Sequence, residues 1–349
     1  MRGKILILLS CGLIAPLMCG VDAHAEAGSP LAQPVLVTDQ FAFFSDFATN
    51  LNDALIFAAE ARGAGEPELF DAGPEAACFV ELSAAERAAW DRTVDFYADV
   101  VAAAGTFKAR ERNVLRLELA GVVAEGEWED PWERRFAAIG RAFRAAAAPP
   151  YEACRWPAQD RANRRWIDEL APRLARHEEA ITSRLAEVYA TAWEGVPFRV
   201  DVVETADPTG ANAINLDPPG AHILISSSKP GYKGDAALEM VFHEAAHFLT
   251  GRGEPVPVEL TRAMEELRYH FRGDLTHWVN FYMTGEVVRR LLEAAGEPAY
   301  EPYLYAQGMD EGGKFRSAVE RTWPPYLDGE RTLPEAAEDL IRALLDSLE

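Results

Sequence analysis

Leu238-Glu239-Met240-Val241-Phe242-His243-Glu244-Ala245-Ala246-His247-Phe248-Leu249 is the stretch on which the reading of this chain turns. Its apolar residues recur at helical spacing, so it reads as a helix, with Asp235 as a start signal and Gly251 as a stop. Within it, His243 and His247 lie four residues apart, about 40° around the axis and roughly 6 Å along it. Two imidazoles so placed can converge on one cation. Glu244 stands one residue on, about 100° around the helix, which takes its carboxylate off the metal and toward a water there. The pattern H-E-x-x-H therefore predicts a zinc site, with His243 and His247 as ligands and Glu244 as general base. No charged residue other than Glu244 occurs from Met240 through Leu249, which a solvated helix face rarely shows.

A catalytic zinc site normally has three protein ligands and one open position. The metzincin form needs a third His soon after His247, but none occurs before His270. Asp274 to Leu292 reads as a helix that carries two better candidates, His277 and Glu286. Nine residues separate them, which places them roughly 180° apart, so both cannot bind one metal on a continuous helix. Gly285, costly inside a helix, is explained by a close approach to the metal helix and favours Glu286. Both candidates stay open here.

His243, Glu244, His247 and Glu286 together resemble the gluzincin type of zincin metallopeptidase. The resemblance spans roughly 198–290. It implies Zn2+ held by His243, His247 and Glu286, with peptide hydrolysis as the activity and a peptide or protein as the substrate. Residues of such enzymes that donate to the oxyanion have their counterparts in Tyr282 or His277, with Tyr300, Tyr303 and Tyr305 as more distant candidates. No N-E-x-x-S-D signature surrounds Glu286, a departure from the family pattern.

Working outward, Phe198 to Val203 and His222 to Ser227 alternate like strands, with a loop of Pro, Gly, Asn and Asp from Pro208 to Gly220 between them. His222 reads as packing rather than as a ligand. Phe41 to Trp193 is helical nearly throughout. Ser83 with Glu86 and Asp130 with Glu133 supply helix starts, Pro149-Pro150 a stop, and Pro172 a kink or break. Thr332 with Glu335 caps a last helix expected to pack beneath the site. The fold class is thus α+β and mostly helical: a helical region over 26–194, then a zincin-like region over 195–349 whose small sheet precedes the metal helix.

Residues 1–25 read as a signal peptide: Arg2 and Lys4, an apolar run from Ile5 to Cys19, and a cleavage site at Ala23-His24-Ala25. An exported protein, periplasmic or secreted, follows from that, with no membrane insertion once the leader is removed. Cys78 and Cys154 can pair in such a compartment or remain two thiols. With 34 Lys and Arg against 56 Asp and Glu, the formal net charge is −22, which argues against nucleic acid as a partner. No phosphate-cradling Gly loop or G-x-S-x-G elbow is present. The alternative function is a non-catalytic exported binding protein with a structural or vestigial zinc site, its helical region presented to another exported protein.

Overall fold

In the computed structural model, which describes residues 33–71, 73–99, 110–121, 128–193, 197–206, 209–216, 220–271, 273–309 and 314–347, five strands form one sheet. They are β1 (Leu36–Val37), β2 (Phe41–Phe44), β3 (Phe198–Val203), β4 (Ala211–Leu216) and β5 (Gly220–Ser226). The order is β1-β2-β3-β5-β4, with β2, β3 and β5 parallel and the two edge strands antiparallel to their neighbours. The parallel strands are buried, as their Val, Ile and Phe content requires.

The helices of the first half are α1 (Phe47–Ala64), α2 (Gly73–Glu81), α3 (Ala84–Tyr97), α4 (Arg110–Leu119), α5 (Pro131–Cys154) and α6 (Trp156–Tyr189). After the sheet come α7 (Asp235–Ala246), α8 (Pro255–Glu266), α9 (Leu275–Ala294), α10 (Tyr303–Ala306), α11 (Lys314–Thr322), α12 (Pro324–Leu327) and α13 (Leu333–Asp346). The mostly helical α+β architecture is therefore as the sequence indicated. The capping boxes Ser83–Glu86 and Thr332–Glu335 both form, and Asp130 caps α5.

Residues Gln33–Glu349 make one compact unit. The two regions read on either side of residue 194 share its sheet, because β2 pairs with β3 from Phe41↔Phe198 to Phe44↔Asp201. Two cores sit side by side. The larger takes in the sheet, α6, α7, α9 and the C-terminal helices; the smaller is built from α1, α3, α4 and α5 around Trp90, Tyr97 and Tyr151. Cys78 and Cys154 are joined as a disulfide that ties α2 to the end of α5. Asp53 of α1 accepts the Thr205 and Ala206 amides at 3.0 Å, joining the smaller core to the turn after β3.

Several local expectations need correction. Phe41–Phe44 is a strand rather than the start of a helix, since its alternate side chains Phe41 and Phe43 are both fully buried. The supposed loop Pro208 to Gly220 contains β4, held as a strand by its pairing with β5. Helix α5 runs through Pro149 and Pro150 to Cys154, and α6 runs unbroken through Pro172, where buried Leu170 and Leu174 hold it in place. The start of α7 is set by Gly234 at φ 59°, a left-handed backbone that favours glycine, while Asp235 pairs with Arg173 at 2.9 Å. The leader read over residues 1–25 lies outside the described residues. Among the described residues no helix is long and apolar enough to cross a membrane.

Candidate metal centre

Helix α7 is enclosed by the sheet, α6 and α9, and every residue from Ala237 to Ala246 is buried. Helix α9 crosses it in the opposite direction. His277 and Phe281 of α9 meet His243, and Gly285 meets Glu239 one turn earlier on α7. A Cβ at Gly285 would stand 2.8 Å from Cβ of Pro302 and 3.0 Å from Oε1 of Glu239, so glycine is required for this approach. The Asn280 amide fastens the crossing by donating to the His243 carbonyl at 3.3 Å.

This register brings three imidazoles together. One ring nitrogen from each of His243, His247 and His277 lies within 4.8 Å of the others, and Nε2 of His243 is 3.3 Å from Nε2 of His277. A tetrahedral site with metal–nitrogen bonds of about 2.0–2.1 Å places its ligands about 3.3 Å apart, which the His243–His277 pair matches. Phe281 stacks on the His243 ring at 3.7 Å between centroids and limits its rotation. His277 is held at the first turn of α9, where its amide donates to the Asp274 cap at 3.1 Å.

The electrostatics suit a cation. Burial, followed by His247 and His277, pushes His243 well below its ordinary pKa, and burial followed by His277, against the opposing pull of Asp274, brings His247 to about 4. Burial also lowers His277, so all three rings are neutral near pH 7, the form that ligates. His243 is fully buried; among the described residues its Nδ1 has no hydrogen-bond partner and its Nε2 meets another imidazole. The described residues thus offer three nitrogen ligands that could hold a metal ion.

Glu244 is 4% exposed and lies beside this group without belonging to it, as its offset on the helix dictates. Burial raises its pKa to about 8, against the opposing pull of Arg116 and a hydrogen bond from the Ala213 amide of β4. An edge strand, a buried carboxylate and a histidine cluster therefore adjoin one another. Ala213 and Arg116 were not found from the sequence. Asn212, Ala213 and Asn215 look like loop, and Arg116 comes from a distant helix.

Glu286 does not join the cluster, which corrects the ligand expected from the gluzincin resemblance. It faces the opposite side of α9, where its carboxylate accepts from Arg289 at 2.7 Å and Arg290 at 2.6 Å. Those two guanidinium groups hold its pKa below the usual carboxylate range despite partial burial. Tyr282 is on that side too, and with Glu286, Arg289 and Tyr305 it lines a cavity of about 440 Å³. Tyr300 instead donates to Glu239 at 2.6 Å, and Tyr303 packs at 6.4 Å from Phe281. His270 is exposed and outside the group, and His222 is engaged with Asp201 at 2.6 Å. His277 is thus the third ligand candidate. The stripe His277–Phe281–Gly285, at intervals of four, was the signal in the sequence that could have shown this face. No protein-family model, curated protein or solved structure matches the chain.

Proposed function

We propose that this chain is a zinc-dependent peptidase whose ligands are His243, His247 and His277 and whose general base is Glu244. The observation that carries the reading is the meeting of three neutral imidazoles with a separate, buried carboxylate on the adjoining helix position. Three protein ligands are the pattern of a catalytic zinc, whereas structural zinc is closed by four. This supports hydrolysis over the purely structural or binding reading. Bound zinc supplies a Lewis acid for a carbonyl and lowers the pKa of water to near 7.

The protein groups then have defined tasks. Glu244 accepts a proton from the attacking water as its oxygen bonds to the scissile carbonyl carbon. It returns that proton to the amine nitrogen as the C–N bond breaks. Its pKa, raised by burial to about 8, favours holding the proton for its return to the amine nitrogen. His243 is kept in register by Phe281 and by α9. Strand β4, at the sheet edge beside Glu244, has backbone groups suited to an extended chain, which favours a peptide substrate over a compact one. Export by the leader is part of the same proposal. Glu244→Gln is expected to retain metal while peptide turnover falls by about 10²–10⁴-fold, read by metal analysis beside a peptide-cleavage assay. Unchanged turnover in a metal-loaded variant contradicts the mechanism.

A further inference from the structure

Strand β4 has a weak claim to its position. Its sequence Ala-Asn-Ala-Ile-Asn-Leu is poor in β-branched and aromatic residues, and it pairs with the sheet only through β5. A side chain from outside the sheet helps to hold it. The three guanidinium nitrogens of Arg116 on α4 all donate to this corner. Nη1 goes to the Asn212 side chain, Nη2 to the Asn212 carbonyl at 2.9 Å and the His222 carbonyl at 2.8 Å, and Nε to Nδ1 of His222 at 3.2 Å. His222 is fixed in turn. Its Nδ1 accepts from Arg116, so its Nε2 carries the proton and donates to Asp201 of β3 at 2.6 Å, and Asp201 accepts Arg199 at 2.7 Å and 3.1 Å. Burial lowers the His222 pKa to about 4, consistent with this neutral tautomer. The result is a lateral tie that runs from α4 through β4 and β5 to β3.

We propose that Arg116 is a positioning residue for the candidate active site: it clamps β4 where the Ala213 amide meets Glu244. The smaller core serves that end by burying Val114 and Leu115, the two residues that precede Arg116 in α4. The helical first half thus contributes to the site itself. The fork is specific to arginine, since a lysine ammonium cannot span a side-chain oxygen, two carbonyls and an imidazole nitrogen at once. The catalytic part of this inference rests on the proposed role of Glu244; the clamp does not.

The test is amide hydrogen exchange on the full chain, comparing the parent with Arg116→Met and Arg116→Lys. Both variants are expected to keep the global unfolding midpoint within a few degrees and to exchange the β4 amides at least about tenfold faster, with the β2 and β3 amides unchanged. Alongside, Arg116→Met is expected to raise KM for an extended peptide by about tenfold, with Arg116→Lys recovering little of it. Asn212→Ala, which removes one clamp contact, gives the same local acceleration if Arg116→Met fails to fold. A folded variant in which β4 exchange does not change overturns the clamp. A parent with loaded metal and no peptide turnover removes the peptidase reading, and the exchange result still decides the clamp.

Discussion

Replacing Glu239 by Gln isolates one buried charge beside the metal helix. Glu239 is fully buried, and among the described residues its carboxyl receives the Tyr300 hydroxyl at 2.6 Å and the Tyr303 amide at 3.0 and 3.2 Å. Burial, only partly offset by those bonds, raises its pKa from 4.5 to about 7. The folded state therefore holds this proton more tightly than the unfolded chain does. Stability is not affected by the group below about pH 4.5, declines as pH rises from there to about 7, and levels off above. With each pKa unit worth about 1.4 kcal/mol, the loss between pH 5 and pH 8 is about 2–3 kcal/mol. Glu239→Gln cannot ionise and keeps an acceptor oxygen, so this loss is absent from the variant. Urea unfolding of both proteins at pH 5 and pH 8 reads it as a double difference, in which the other titrating groups cancel. A double difference near zero, or a variant that loses more stability than the parent on raising the pH, refutes the reasoning.

Gly285→Ala would ordinarily stabilise a helix interior by up to about 1 kcal/mol, but here the new Cβ meets a rigid proline ring and a pinned carboxylate. A net loss of about 1–2 kcal/mol in urea unfolding is expected, and a gain would show that the two helices do not approach as described. Cys78 and Cys154 close a loop of 76 residues. Replacing both by Ser is expected to cost up to about 4 kcal/mol, read by the shift of the thermal or urea midpoint relative to the unreduced parent. No shift would mean that the bridge does not form in solution.

The motif helix, the helix from Asp274 and the capping boxes were legible because each depends on residues close in sequence. The choice between His277 and Glu286 was not. Their opposition around α9 follows from helix geometry, but which face meets α7 is decided by how Asn280, Phe281 and Gly285 pack against it. Gly285 did signal a close approach, and Glu239 is what it approaches; the inference from glycine to its neighbour Glu286 went one residue too far. Strand β4 escaped notice because its stability comes from β5 and Arg116 rather than from its own composition. Likewise Phe41–Phe44 resembles a helix start until β3 is available to pair with it.

The central claim is that His277, and not Glu286, completes the ligand set with His243 and His247. Metal content of the purified chain after zinc loading, compared among the parent, His277→Ala and Glu286→Ala, tests it most directly. The account predicts about one zinc per chain in the parent and in Glu286→Ala, and its loss in His277→Ala. Zinc retained by His277→Ala and lost from Glu286→Ala would contradict it.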